Sequence, residues 1–375
     1  MNRPWLAPLT PLYAAGLALR ELRLGTRLEP VRRLHFPVVS IGNLSTGGVG
    51  KTPLTIALAK ALTQCGLHVD VLSRGYGRRD KNPARVDPDG AAEEFGDEPL
   101  LIAQEAGVPI YVAAQRYEAG LLAETDAERA GTKPRPAGAA KEMIPVKGTG
   151  FSTYINTAES TWALAPEGRS SENSPQPIVH LLDDGFQHRQ LHRDVNILLL
   201  NRQDWTDSLL PAGNLREPLQ AAHRATVLAI PASEPELEAE LKAWGWTGPV
   251  WRLRRSMELP AVDGPVAAFC GIARPAQFFA GLEAVGVTVA LRHAFRDHYR
   301  YTPADLKSLA VMAHAAGATA LLTTEKDRLR IGKLSAAFPE LLPLKTVRLR
   351  VEIEHADEAI EWLAERLRST AHLCS

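Results

Sequence analysis

Short apolar runs alternate with stretches of helical period along most of this chain. Pro37-Val38-Val39-Ser40-Ile41 is a strand pattern, and Leu54-Thr55-Ile56-Ala57-Leu58-Ala59-Lys60-Ala61-Leu62 after it is rich in helix formers. Further strands are predicted at Leu67–Leu72, Pro109–Ala113, Ile178–Asp184 and Asn196–Leu200, with helices over 99–106 and 116–128. The alternation resumes in the second half. Strands at 266–270, 287–291, 320–324 and 346–351 are interleaved with helices at 275–285, 303–316 and 356–367. Strands separated by single helices predict α/β architecture, a parallel sheet with helices on both faces. The pattern predicts two such domains joined between Leu219 and Pro265. From 130 to 177, Gly, Pro, Ser, Lys and Glu displace the periodicity, and this stretch reads as a mobile insertion.

The N-terminus has a pattern of its own. Residues 4–19 carry no charge, yet Pro8 and Pro11 interrupt them, and the stretch falls short of the roughly 20 apolar residues a spanning helix needs. Arg20, Arg23, Arg27, Arg32 and Arg33 follow, against Glu21 and Glu29, an order unlike a cleavable signal. Leu12, Leu17, Leu19, Leu22 and Leu24 among arginines suit a helix lying in a membrane interface. They equally suit a helix packed on the protein's own core.

Composition excludes more than it assigns. The 375 residues are ample for two domains, and 43 Lys plus Arg against 43 Asp plus Glu leave no global charge for a nucleic-acid partner. Cys65, Cys270 and Cys374 are odd in number and widely spaced, which fits a reducing cytoplasm rather than a disulfide framework or zinc site.

The first strand runs into Ser45-Thr46-Gly47-Gly48-Val49-Gly50-Lys51-Thr52, a phosphate-binding loop with Ser45 where its first glycine would stand. Glycines let backbone N–H groups converge on phosphate oxygens. Lys51 would reach the terminal phosphates, and the Thr52 hydroxyl a Mg²⁺ ion. Such a loop needs an acidic partner, and Asp183 and Asp184 end a neighbouring strand. Strand alternation would send them to opposite faces, one serving the metal. His188 and His192, four apart, lack a third ligand, so His188 reads as a polar neighbour of the site. Asp97 and Glu98 in Gly96-Asp97-Glu98-Pro99 could cap a helix or do chemistry. The cluster at 295–301, including His298, could be a surface loop. Arg74 and Arg78 lie in a basic loop after the second strand. With Arg116 and Arg216 they are candidate phosphate contacts.

Gly47-Gly48-Val49-Gly50-Lys51-Thr52 invites comparison with the partitioning ATPases, whose signature lysine and second threonine are replaced here by Thr46 and Pro53. The set of motifs instead resembles the tetraacyldisaccharide 4'-kinases of lipid A synthesis. The matching segments are Ile41-Gly42-Asn43-Leu44, Gly50-Lys51-Thr52-Pro53, Ser73-Arg74-Gly75-Tyr76-Gly77, Gly96-Asp97-Glu98-Pro99 and Asp183-Asp184-Gly185-Phe186-Gln187-His188. Leu210–Pro218, Phe269–Ala273, Asp297-His298 and Thr323-Thr324-Glu325-Lys326-Asp327 continue in family order over nearly the whole chain.

The resemblance implies ATP- and Mg²⁺-dependent phosphorylation of the 4'-hydroxyl of a tetraacylated glucosamine disaccharide 1-phosphate. It implies Asp97 as the base and His298 as its partner, with Lys51 on the transferred phosphate. It further implies Thr52, Asp183, Asp184 and Glu217 around the metal, and Arg74, Arg116, Arg216 and His188 near the lipid. An acylated acceptor implies a peripheral protein on the cytoplasmic face of the bacterial inner membrane, without nucleic acid or an obligate protein partner. The organisation is then an interfacial helix over 1–36, a phosphate-loop kinase domain over 37–220, and a smaller α/β domain over 221–375. Two features depart from the family: the 130–177 segment, and Tyr299 in place of a second histidine. A peripheral membrane ATPase switch and a nucleotide-binding scaffold are the rival readings.

Overall fold

The computed structural model describes residues 3–26, 30–48, 50–130, 178–337 and 342–371; Arg27, Glu29, Val49, Cys374 and all but the first residue of the expected 130–177 insertion lie outside the described residues. A 3-10 turn at Pro4–Leu9 leads into helix α1 (Thr10–Gly25). The first parallel block follows: β1 (Val38–Asn43), α2 (Lys51–Gln64), β2 (His68–Ser73), β3 (Ala84–Arg85), α3 (Ala92–Phe95), α4 (Asp97–Ala106), β4 (Ile110–Val112) and α5 (Arg116–Arg129). It continues through β5 (Ile178–Asp183), β6 (Val195–Leu199), α6 (Arg202–Thr206), β7 (Val227–Pro231), α7 (Glu236–Ala243) and β8 (Val250–Glu258). The second block comprises β9 (Val266–Cys270), α8 (Pro275–Ala284), β10 (Val289–Ala294), α9 (Pro303–Ala315), β11 (Ala320–Thr324), α10 (Glu325–Ile331), β12 (Leu344–Ile353) and α11 (Ala356–Ala371).

Among the described residues the strands form one 12-stranded sheet, in the order β10-β9-β11-β12-β8-β7-β6-β1-β5-β2-β4-β3. Both blocks are internally parallel apart from the edge pair β3–β4, and they join where β12 runs antiparallel to β8. The region expected to connect two domains therefore contains β7, α7 and β8. In β8, Trp251 and Leu253 are buried while Arg252 and Arg254 are exposed, the period-two signal of a strand with one covered face.

Helices cover both faces. Val39 and Ile41 of β1 pack with Leu54, Leu58 and Leu62 of α2 and with Leu100 and Ile102 of α4. Val38 and Leu72 face the other way, onto Ala119 and Ala123 of α5. Trp251, Leu253, Val351 and Leu363 belong to the same core as α2, so apolar packing as well as strand pairing unites the two blocks.

One polar group is buried inside the first block. His180 on β5 is fully buried, with Nδ1 2.7 Å from Asp70 Oδ1 and Nε2 3.5 Å from Glu124 Oε1. Burial alone would lower the imidazole's pKa, but the two carboxylates outweigh it and push it up to about 9. Glu124 also accepts the backbone N–H groups of His35 and Phe36, so this cluster ties the chain entering β1 to α5. Replacing His180 with leucine is expected to destabilise the fold by about 3–5 kcal/mol, because Asp70 keeps its charge without a partner. The His180 contribution is complete below its ordinary pKa of 6.5 and lost as pH rises through about 9. Urea denaturation of wild type and His180→Leu at pH 6 and pH 10 tests this: the gap between them should narrow at high pH.

Candidate active site

β1 ends at Asn43, and the chain turns through the glycine loop into α2, whose first residue is Lys51. Gly47 and Gly50 hold φ of 109° and 92°, which side-chain-bearing residues rarely adopt. A Cβ at either would also lie 3.3 Å from a guanidinium Nε, of Arg274 at Gly47 and of Arg255 at Gly50. Two arginines of the later chain thus overlie the loop. Beside them, residues after β6 and β7, along β8 and at the start of α8 line a polar cavity of about 540 Å³, among them Asn201, Gln203, Ser233 and Gln277. Ser45 is buried and bridged to Leu215, while the Thr46 N–H donates to the Asn214 carbonyl at 2.8 Å. Gly48 has open space around its Cα, and Thr52 is buried at the start of α2.

Lys51 Nζ donates to Asn43 Oδ1 at 2.7 Å and pairs with Asp184 Oδ1 at 3.2 Å. Arg216 grips the same carboxylate with both terminal nitrogens, at 3.0 and 3.1 Å. Burial would raise the Asp184 carboxyl, but Lys51 and Arg216 outweigh it and hold it well below the usual carboxylate range. Asp183 is fully buried 3.4 Å from the Thr55 hydroxyl, and burial together with Glu98 and Asp184 pushes its pKa up to about 7. Thr55 and Lys51 both belong to α2, so the expectation that the two acids serve opposite faces does not hold. Asp184 has φ 49°, and this left-handed residue breaks the alternation just past the strand's end.

Arg116, the first residue of α5, is buried and donates to the Asp184 carbonyl at 3.4 Å. Desolvation lowers its pKa, with Arg74 adding like charge. The Nε atoms of Arg116 and Arg216 are both buried without a hydrogen-bond partner, two N–H groups directed at no acceptor of the protein. His188 lies among Arg116, Arg193, Arg20 and Arg74; burial and these charges push it down to about 4, so it is neutral at pH 7. Arg78 is buried but engaged with the carbonyls of Lys81 and Asn82, a loop brace. His192 faces Asp194 and Arg33 instead of joining His188.

The second centre is built from both blocks. Asp97 opens α4 and is buried, and its Oδ1 accepts the Glu98 N–H at 3.0 Å. Its Oδ2 meets His298 Nδ1 at 3.3 Å and two nitrogens of Arg330, the Nε at 2.8 Å. Burial would raise this carboxyl, but the His298 hydrogen bond and the charges of Arg330 and Lys326 hold it well below the usual range. The Asp97 hydrogen bond in turn raises His298. Tyr299, in place of a second histidine, donates to Asp305 Oδ1 at 3.3 Å and packs on Phe295. Lys326 pairs with Glu98 and contributes charge at Asp183, linking this centre to the phosphate loop.

The sequence reading singled out neither Arg330, Lys326 and Glu98 as an ionic set nor Asn43 as the anchor of Lys51 and Arg216. The motif Thr323-Thr324-Glu325-Lys326-Asp327 was the available signal for part of it. Arg330 lies beyond that motif, and a solvated helix arginine looks identical in sequence.

A model of the tetraacyldisaccharide-1-P 4'-kinase family matches residues 2–368. The chain belongs to this family. It is 38% identical over 358 residues to the tetraacyldisaccharide 4'-kinase of Koribacter versatilis, covering 94% of this chain and 96% of that one. Its identity to the Nitrobacter winogradskyi enzyme of the same name is 35%, with 94% and 90% covered. The crystal structure of the "apo" form of Aquifex aeolicus LpxK in complex with ATP aligns with a TM-score of 0.65 and 28% identity, over 96% of this chain and 98% of that one.

In this kinase α1 sits over the site with Tyr13 and Arg20 directed inward. Tyr13 donates to the Arg216 carbonyl at 2.9 Å, Arg20 reaches the Gln187 carbonyl, and Glu21 pairs with Arg189. Trp5, Leu9, Leu12, Leu19 and Leu22 are exposed. An apolar cavity of about 480 Å³ lies along this segment, lined by Leu9, Leu12, Tyr13, Gly16, Leu17 and Pro211. No described helix is long and apolar enough to cross a membrane.

Proposed function

We propose that the protein transfers the γ-phosphoryl group of ATP to the 4'-hydroxyl of a tetraacylated glucosamine disaccharide 1-phosphate. The observation that carries this is the placement of Lys51 and Asp184 near an acid–histidine pair, the buried Asp97 with the more exposed His298, through the Glu98–Lys326 ion pair. The phosphate loop and Lys51 would hold the β- and γ-phosphates and stabilise the charge that spreads over the transferred group. Arg255 and Arg274 would close over the phosphates, and the adjoining polar cavity would take the nucleoside.

The donors present fit a hydrated Mg²⁺, which uses one or two carboxylates and keeps waters and phosphate oxygens as its other ligands. No three acidic, histidine or cysteine side chains converge into a protein cage among the described residues. Asp183 gathers negative potential from Glu98 and Asp184, and Glu217 Oε1 is buried without a hydrogen-bond partner while its other oxygen pairs with Arg224. We assign Thr52, Asp183 and Asp184 to the ion and its water shell, with Glu217 behind them. Bound there, the ion would neutralise phosphate charge.

Asp97 would accept the hydroxyl hydrogen bond and orient the oxygen in line with the γ-phosphorus, and the proton would pass to the Asp97–His298 pair. Arg74, Arg116 and Arg216 would contact phosphates of the lipid or the nucleotide, supplying acceptors for the orphaned guanidinium N–H groups. His188, neutral at pH 7, can accept a hydrogen bond without adding charge. The outward apolar residues of α1 and the cavity beside them would receive acyl chains at the membrane interface, placing the protein peripherally on the cytoplasmic face of the inner membrane.

Incubation with γ-labelled ATP and acylated disaccharide 1-phosphate in anionic vesicles tests the reading. Label is expected in the lipid, and ATP consumption should depend on the acceptor. Acceptor-independent hydrolysis without lipid labelling would instead favour the ATPase switch. In the same vesicles, Leu12→Glu with Leu19→Glu should lower the bound fraction at least about tenfold, since burying two charges in the interface is costly; unchanged binding would remove α1 as the anchor.

A further inference from the structure

We propose that Arg330 is a positioning residue for phosphoryl transfer: it fixes the Asp97 carboxylate and keeps His298 Nδ1 open as a proton acceptor. The proposal rests on the reading of Asp97 as the base. Arg330 extends from α10 and is almost fully enclosed, its side chain 6% exposed, as is that of Asp97. Its guanidinium makes five contacts, to four residues. Nε and Nη2 both meet Asp97 Oδ2, Nη1 donates to the Gly271 carbonyl and to Asp327 Oδ1 at 3.0 Å, and Nη2 lies 3.2 Å from His298 Nδ1. Asp327 is itself fixed from three sides, by the Gly271 N–H at 3.1 Å, the Tyr301 hydroxyl at 3.0 Å and the Thr324 hydroxyl at 2.7 Å. Arg330 is therefore the rigid link between a locked carboxylate in the second block and Asp97 in the first.

His298 Nδ1 faces two groups of opposite demand, Arg330 Nη2 at 3.2 Å and Asp97 Oδ2 at 3.3 Å. Once the ring has released the proton that its bond to Asp97 favours, it is neutral, protonated at Nε2, and accepts from Arg330 through Nδ1. As the acceptor oxygen forms its bond to phosphorus and the bond to ADP breaks, the hydroxyl proton passes by way of Asp97 to Nδ1. The resulting Nδ1–H then donates to Asp97. No other donor or acceptor of protons is required.

The charged and titratable groups around the pair are Glu98 on α4, Lys326, Asp327 and Arg330 on α10, Asp297 on the loop after β10, and Tyr76 on the loop after β2, whose ring lies 5.1 Å from that of His298. Arg330 lowers the proton affinity of both Asp97 and His298, so its loss should raise the apparent pKa values of the coupled pair. The experiment is a pH profile of kcat/KM for the lipid acceptor in Arg330→Gln and Arg330→Lys, with Tm and ATP affinity measured alongside. Arg330→Gln should lower kcat about 100-fold at neutral pH, keep the KM for ATP within about twofold, and move the acid limb upward by about one pH unit. Arg330→Lys keeps the charge but not the fork, so kcat should fall about tenfold with the limb in place. A folded Arg330→Gln with an unmoved limb, or Arg330→Lys with wild-type kcat, would overturn the proposal; the lysine variant decides alone if the glutamine variant does not fold. Wild-type turnover in Asp97→Asn would sink the base assignment itself, whereas an inactive Asp97→Asn beside an unaffected Arg330→Lys sinks only the role of Arg330.

Discussion

Asp97→Asn is expected to lower kcat by about 10²–10⁴-fold, the usual contribution of a positioned base, while leaving ATP affinity within about threefold. The split follows from geometry. Asp97 is buried at the start of α4 and engages His298 and Arg330, both from the second block, whereas the phosphate loop belongs to β1 and α2. The amide cannot accept a proton, and it presents an N–H₂ group to Arg330 or His298 where the carboxylate presented oxygen. ATP titration by calorimetry together with lipid phosphorylation kinetics separates the two effects. Turnover within threefold of wild type would remove Asp97 as the base, and equal losses in binding and turnover would mean that the substitution had disturbed the whole cleft.

Lys51→Ala is expected to lower kcat/KM for ATP by about 10²–10³-fold, and unlike the Asp97 change it should weaken nucleotide binding as well. Lys51 now neutralises Asp184 in company with Arg216 and is anchored by Asn43. Its side chain is 14% exposed, so the ammonium already stands in a partly dry notch where its charge acts with little screening. Removing it leaves Asp184 to Arg216 and the more distant charge of Arg116, and takes away a charge that develops its full value only against the transferred phosphate. The same calorimetry, with Tm as a control for folding, checks this. Unchanged ATP affinity and turnover would show that Arg255 or Arg274, rather than Lys51, carries the phosphate charge.

Much of the fold was legible because burial repeats at the periods of helix and strand. β1, β2, β5, β9 and β11 fall within a residue or two of where apolar runs and turn residues place them. β8 was harder to see, because its exposed Arg252, Arg254 and Arg255 make the segment look like a charged connector. Its meaning depends on β12, about ninety residues later, which pairs with it antiparallel and joins the two blocks into one sheet. The short α10 has no helix predicted for it: Glu325-Lys326-Asp327-Arg328 carries no apolar period, yet Asp327 is fully buried and Lys326 largely so.

The site divides in the same way. A phosphate loop is local, since its glycines, lysine and threonine act through consecutive backbone groups, and the sequence alone determines it. So does the chain order of the motifs, which carried the family resemblance. Whether Asp97 caps a helix or does chemistry was open in the sequence, because an acid at a helix start suits both. Only the tertiary structure brings His298 and Arg330, some two hundred residues away, onto its carboxylate. Tertiary structure likewise turns Leu12, Leu19 and Leu22 of α1 outward while Tyr13 and Arg20 reach inward and Leu24 is buried, a division that periodicity left undecided between core and membrane. The reason is the range of the interactions. Backbone geometry and hydrophobic period act over a few residues, whereas the proton affinity of a buried carboxylate is set by whichever charges the fold brings within a few ångströms.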